Sequence, residues 1–567
     1  GPATDLPDAT MADDTDDDDE YLTEAERAIL AAQARKSETD TTATEKDPAE
    51  GFAPCAAEGS VVPLVVSGFL PSRRRKSAAD IADWLETEAG QSASLVSVGR
   101  TLASRNHGRS RAVVMARSHE DAIKGLRAIA DGKSNPLVYS ADAPDAASAV
   151  WLLSGYGSQH RKMAKQIYTE NPVFAKYLNR VDEFIDNELG YKIADLVLDD
   201  AEAYGSESAQ VAIYAIQVAL ADTLRHFGAE PGVLVPHSMG EASAAYISGG
   251  LSLEDATRVI CHRSRLMAEG EAALTEDEVR FMALVEYSAD DIKSVLVDYP
   301  DLEICVYAAP THTVIGGPPE QVDAIVARAE AEGKIGRKLQ TKGASHTSQV
   351  EPILGELAYE IAGIHPLPLE YGIYSSIDRE EFYRPGGKAI HEVEYFLKGL
   401  RYSVWFAQAV AKTVEVGHRT FIELSPNPAV LISVAGTTFG AGIQNAELIE
   451  TLRRKEDESF GLINALMKLY VHGHPVNVAS LFGVDGADRG YADVPRTRFE
   501  RKQFWLTASY SASGSGAVPG AHVALPDGRH AWEVNASVVT DPRVLVAAAA
   551  GQVLADVAVG AVETHAP

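Results

Sequence analysis

"GVLVPHSMGEASAAY", residues 232–246, is the stretch from which the fold can be read. Val233, Leu234 and Val235 read as the end of a buried strand, and Ala242, Ala244, Ala245 and Tyr246 begin a helix-compatible run. Ser238 then stands at the turn between them. A nucleophile elbow holds its serine there, with the hydroxyl exposed above a helix N-terminus. A serine in that place also serves as a plain helix cap, and this stretch alone leaves both readings open.

The chain has 567 residues, enough for roughly three or four domain-sized units. It is 46% hydrophobic and 23% charged, an ordinary globular profile. A net charge of −30 argues against general binding to nucleic acid or an anionic membrane. No apolar run is long enough to span a membrane, and the N-terminus has no secretory pattern. Cys55, Cys261 and Cys305 are too few and too scattered for a disulfide framework or a zinc site, which suits a reducing cytoplasm. Gly1-Pro2 has the look of a protease-cleavage scar, so the chain is expected to be a piece of a larger protein.

Working outward, "MADDTDDDDE" (11–20) and the Ser/Thr/Ala/Pro/Glu-rich residues 37–60 read as solvated linker. Between them, "TEAERAILAAQARK" (23–36) carries a capping box, Thr23 with Glu26, and reads as a short helix. Residues 1–60 are therefore an acidic linker with one helix. Residues 61–147 form a small α/β linker domain: strands at 61–68 and 109–118, helices at 77–90 and 119–132. Its cluster Arg73, Arg74, Arg75 and Lys76 reads as a solvated loop or, less simply, a docking patch. From "SAVWLLSGYGSQ" (148–159) onward strands alternate with long helices, the signature of a parallel sheet. Residues 148–280 and 342–480 make this large subdomain. Residues 281–341 interrupt it with the order βαββαβ, a ferredoxin-like insert. Residues 481–567 form a trailing linker and tail, with a hairpin at "HVALPDGRHAWEV" (522–534). The expected fold is α/β: a hydrolase-like parallel-sheet core with an inserted ferredoxin-like subdomain, preceded by the small linker domain. No Asp-Ser-Leu-type phosphopantetheine attachment site is present, so no carrier domain is expected here.

Four separated stretches agree on one family. They are the elbow "PHSMGE" (236–241), the Gly-rich turn "SGYGSQHRKM" (154–163), Arg263 in "CHRSRLM", and His346 in "GASHTSQ" just after the insert. Together they resemble the malonyl-CoA:acyl-carrier-protein transacylases, and in particular the acyltransferase domains of modular polyketide synthases. The resemblance runs from about residue 61 to 506 and includes "YADVPRTRFERKQFWL" (491–506). Within the family, "SGYGSQHRKMAKQIY", "TKGASHTSQ" and the tail are most similar to the mycolic-acid-condensing synthases of mycobacteria and corynebacteria. One departure stands out: Pro236 occupies the position where the family usually has glycine.

The resemblance implies roles. Ser238 attacks a thioester, and His346 accepts its proton and passes it to the leaving CoA thiol. The backbones of Tyr156 and Met239 form the oxyanion hole. Arg263 holds a free substrate carboxylate, the planar two-point contact that suits arginine; a surface ion pair with Glu269 or Asp255 is the plainer alternative. A backbone carbonyl in "RYSVWF" (401–406) orients the imidazole, with Trp405 the expected residue. His237, Gln159, Gly343 and Ser345 line the pocket, Asn427 shapes it, and Cys261 belongs to the core. "GASH" (343–346) lacks the bulk of the "HAFH" and "YASH" types, which suggests a long α-branch on the acyl group.

The expected activity is thus a ping-pong acyltransferase. It loads a carboxyacyl extender from CoA onto serine, then onto the phosphopantetheine of an acyl carrier protein. No bound cofactor and no metal are needed, and the implied partners are a carrier domain and an upstream ketosynthase domain. The rivals are an esterase or thioesterase, a malonyl- or methylmalonyl-specific transferase, and a non-catalytic carrier-docking scaffold.

Overall fold

The computed structural model describes residues 47–483, 490–497, 521–524, 526 and 530–533. The reading of residues 23–36 as a helix lies outside them. The chain divides into two compact units, 1–496 and 497–567.

In the first unit, an antiparallel sheet of β1 (Val62–Gly68), β2 (Ser110–Ala116) and β3 (Val138–Ala141) carries helices α1 (Pro71–Leu85) and α2 (His119–Asp131). Two expectations are corrected here. Pro71 opens α1 at its first helical positions, where a missing N–H costs nothing. The helix therefore starts before residue 77 and takes in Arg73–Lys76. Arg74 is buried, and its Nη1 donates to Ser110 Oγ at 2.9 Å, the Ala141 carbonyl at 3.0 Å and Asp142 at 3.0 Å, so the cluster is not a solvated loop. Nor is all of 37–60 solvated: Ala49 and Cys55 are buried, and the Cys55 N–H donates to the Leu481 carbonyl. Residues 490–494 run back over the same domain, with Arg105 donating to the Val494 carbonyl and the Ala492 N–H to Thr101 Oγ1.

The large subdomain is built on a six-stranded sheet. Its strands are β4 (Val150–Leu153), β5 (Val233–Pro236), β10 (Gly372–Tyr374), β11 (Phe382–Tyr383), β12 (Thr420–Leu424) and β13 (Glu447–Glu450), in the order β11-β10-β5-β4-β12-β13. All neighbours are parallel except β10–β11. Strands buried on both faces need no polar alternation. Trp151, Leu153 and Leu234 fill one core, while Val150, Leu152, Val233 and Val235 fill the other. Helices α3 (Pro172–Leu189), α4 (Ser206–His226) and α6 (Leu253–Ala272) pack together, and α5 (Gly240–Ile247) follows β5 directly.

The insert holds four antiparallel strands, β6 (Phe281–Val285), β7 (Glu303–Ala309), β8 (His312–Gly317) and β9 (Gly336–Lys338), in the order β7-β8-β6-β9. Helices α7 (Ala289–Val295) and α8 (Pro319–Ala331) connect them. In an open α/β sheet, ligands bind beyond the carboxyl ends of the strands. The ends of β4, β5 and β12 are where the candidate residues gather. In the second unit, β14 (Ala521–Ala524) and β15 (His530–Glu533) form an antiparallel hairpin.

Candidate active site

The turn after β5 is sharp. Ser238 has φ +53, a left-handed conformation uncommon outside glycine. The His237 N–H donates to the Leu153 carbonyl, and the Gly240 and Glu241 N–H groups donate to the carbonyls of His237 and Ser238. Gly240 is required by space: a Cβ there would lie 2.1 Å from the Leu153 carbonyl oxygen. Pro236 pairs with Leu153 at the end of β5, where the strand accommodates it. Ser238 does not cap α5, whose N-cap is Met239.

Ser238 Oγ lies 2.7 Å from His346 Nε2. Nδ1 of the same ring is 3.0 Å from the Tyr402 carbonyl. A carbonyl can only accept, so Nδ1 carries the hydrogen and Nε2 is free to accept the serine proton. This corrects the expectation of Trp405. Its N–H donates instead to the Ser376 carbonyl, its ring stacks on Tyr307, and the chain turns between Tyr402 and Val404, whose N–H reaches the Cys305 carbonyl. His346, at φ +61, is further tied by its N–H to the Leu400 carbonyl. Burial, then the Arg263 cation and His237, hold its imidazole down to about 3, so it is a neutral base at physiological pH.

Arg263, on α6, is 6% exposed and faces the same oxygen, with Nη2 3.3 Å from Ser238 Oγ. Its Nη1 donates to Gln210 Oε1 at 2.6 Å. Burial lowers it to about 10, which leaves it charged at neutral pH. The carboxylates proposed as surface partners are engaged elsewhere, Glu269 with Arg265 and Asp255 with Arg258. Among the described residues no carboxylate lies within ion-pair distance of this cation.

The turn after β4 abuts the elbow: a Cβ on Gly155 would lie 3.3 Å from Ser238 Cβ. Among the described residues no acceptor takes up the N–H of Tyr156 or Met239. Gln159 does not reach Ser238; its Oε1 accepts from the Gly157 N–H at 2.8 Å and braces the turn. His237 is half-buried with its ring edge-on to Phe406, and burial lowers it to about 4. Asn427 accepts from the Arg454 N–H, and Cys261 is fully buried. Gly343 and Ser345 line a cavity of about 340 Å³ with Met267, Glu271, Leu274, Glu278 and Ile353; Ser238, His346 and Arg263 do not line it.

Besides the Tyr402 carbonyl, sequence reasoning missed three positions. Gln210 and Gln217 are the polar pair two turns apart in the apolar run of α4, and that spacing was the available signal. Gln217 donates to the Ser154 carbonyl and accepts from Ser243, which joins the β4 turn to α5. Glu241 is buried and accepts from Ser376 and Tyr395; burial pushes it up to about 7. Such a centre, a serine with a neutral imidazole and a buried cation, is suited to acyl transfer to a hydroxyl.

Residues 150–474 match the acyl transferase domain family. The chain belongs to that family. Over 511 residues it is 32% identical to a phenolphthiocerol/phthiocerol polyketide synthase of Mycobacterium tuberculosis, covering 88% of this chain and 26% of that protein. A mycocerosic acid synthase-like polyketide synthase of Mycolicibacterium smegmatis is 31% identical, covering 87% and 23%. The chain thus spans about a quarter of the length of these curated relatives. Its acyl transferase fold superposes with TM-score 0.68 on the acyltransferase domain from module 8 of the salinomycin polyketide synthase, at 28% identity over 76% of this chain and 99% of that one. The acyltransferase domain of the polyketide synthase PpsC of Mycobacterium tuberculosis gives 0.51 at 29% identity, covering 59% and 98%. The α/β class with a parallel core and an antiparallel insert is the one expected from sequence. No helix among the described residues is long and apolar enough to cross a membrane.

Proposed function

We propose that this acyl transferase loads a carboxyacyl extender unit from CoA onto Ser238 and passes it to the phosphopantetheine thiol of a carrier protein. In the first half-reaction Ser238 Oγ bonds to the thioester carbonyl carbon as His346 Nε2 takes the hydroxyl proton. The Tyr156 and Met239 N–H groups receive the oxyanion. The C–S bond then breaks, and His346 returns the proton to the CoA sulfur. In the second half-reaction the carrier thiol gives its proton to His346, attacks the acyl-serine, and Ser238 leaves as the hydroxyl. The Tyr402 carbonyl keeps the imidazole in the competent tautomer throughout.

The observation that carries this reading is Arg263, a buried cation with no carboxylate partner among the described residues, 3.3 Å from the nucleophile. A free substrate carboxylate supplies the missing charge. The base is oriented by a carbonyl rather than a carboxylate, which favours transfer over the esterase alternative. For the acyl chain, the small residues Gly343 and Ser345 of "GASH", just before His346, support a long 2-carboxyacyl group; each buried CH₂ is worth roughly 0.8 kcal/mol. We place the domain in a mycolic-acid-type lipid synthase of the cytoplasm, between a ketosynthase and a carrier domain. Mass spectrometry after mixing with malonyl-, methylmalonyl- and long-chain 2-carboxyacyl-CoA tests all of this. A stable long-chain acyl-enzyme is expected. Preference for malonyl-CoA overturns the chain-length assignment, turnover to free acid overturns transfer, and absence of any adduct overturns catalysis.

A further inference from the structure

Arginine buried away from water is normally met by a carboxylate, because an unpaired buried charge is costly. Around Arg263 the protein supplies a neutral partner instead. Gln210, 3% exposed, accepts from Nη1 at 2.6 Å, and Nη2 points to Ser238. Gln210 is held in turn by its own Nε2, which donates to the Ser206 carbonyl one turn earlier in α4. The side chain therefore presents its oxygen, not its nitrogen, to the guanidinium. It fixes the orientation of the plane and leaves the charge unmet.

We propose that Gln210 is the specificity-determining residue of the site: its neutrality, not merely the presence of Arg263, makes the enzyme require a carboxylated acyl group. This rests on the reading of Arg263 as the substrate-carboxylate partner. Glutamate is the same size and keeps an oxygen at the same point, but it would satisfy Arg263 internally. The pair would then have no need of substrate charge. A substrate carboxylate entering such a site would meet a like charge within a few ångströms and would be rejected.

The test compares loading of malonyl-CoA and of acetyl-CoA, and of a longer pair matched in the same way, by mass spectrometry of the acyl-enzyme. In Gln210→Glu the ratio of carboxylated to plain loading should fall by at least 100-fold. Gln210→Leu, which removes the anchor without adding charge, should lower the ratio about tenfold and not invert it. This variant also covers the case in which Gln210→Glu does not fold. An unchanged ratio in the folded Gln210→Glu enzyme, or an equal loss on both substrates, overturns the proposal; if only Gln210→Leu folds, an inverted ratio in that neutral variant overturns it. Arg263→Ala separates the two ideas. If it keeps the carboxylate preference, the reading of Arg263 fails. If it abolishes the preference while Gln210→Glu leaves it intact, only the role of Gln210 fails.

Discussion

Ser238 is positioned by its own neighbours: a strand end, a left-handed residue and a glycine pressed against the Leu153 carbonyl, all within a few residues. His346 is positioned by residues far away in sequence. Its N–H and Nδ1 reach Leu400 and Tyr402, and that segment is pinned by Cys305 of the insert and Ser376 after β10. Ser376 is itself held by Glu241, on the helix that follows the nucleophile. One half of the dyad is thus a local turn, and the other is the product of three distant segments meeting. Local geometry is fragile to changes in packing space, whereas assembled geometry is fragile to changes in its cross-links.

The largest effects should come from the dyad itself. Ser238→Ala should abolish covalent loading, and His346→Ala should slow it by several orders of magnitude, the scale seen when a nucleophile–base pair is broken. A Ser238→Ala protein that still gains the acyl mass would place the chemistry elsewhere. Next is the local side: Gly240→Ala forces a Cβ into the Leu153 carbonyl and should cost on the order of 3 kcal/mol or more of stability, read as a lowered Tm. An unchanged Tm would mean that the elbow can open.

The assembled side should respond through pH. The imidazole of His346 is held low partly by Arg263. Arg263→Ala should therefore shift the acid limb of loading by a plain acyl-CoA upward. No shift would show that burial alone sets the base. Glu241, raised above its unfolded value, contributes stability that is complete below the ordinary glutamate range and is lost as pH rises through about 7. Glu241→Gln has no such proton to lose, so its stability relative to the parent should rise between pH 5 and 8, by on the order of 3 kcal/mol at most. A constant difference would mean that Glu241 stays ionised in the fold. The smallest effect belongs to Tyr402→Ala. The side chain is 56% exposed and the orienting group is its backbone carbonyl, so loading should stay within about twofold.

The same contrast explains what could be read from the sequence. The elbow, the parallel-sheet alternation and the insert were legible because each is written in residues close together, through apolar runs and turn chemistry. Tyr402 was missed because its carbonyl is chosen by where the chain bends between two subdomains. Any residue type would serve there, so no side chain marks it. Arg73–Lys76 read as a solvated loop because four adjacent cations outweigh the helix start at Pro71, and the burial of Arg74 depends on Asp142, a strand away. Gln210 left only a faint trace, one of two glutamines two turns apart in an apolar run.

The burial of Cys55, Cys261 and Cys305 gives the molecule an unusual handle. These are all the cysteines of the chain, and burial pushes the thiols of Cys55 and Cys305 well up, so none is poised to react. Ser238→Cys would therefore add the single accessible thiol, set beside a guanidinium that favours the thiolate. With an added oxidised disulfide reagent as the two-electron oxidant, that thiol and the thiol of a phosphopantetheine arm would join as a disulfide, trapping the proposed delivery step as one isolable cross-linked species, reversible by a reductant and free of competition from the protein's own thiols.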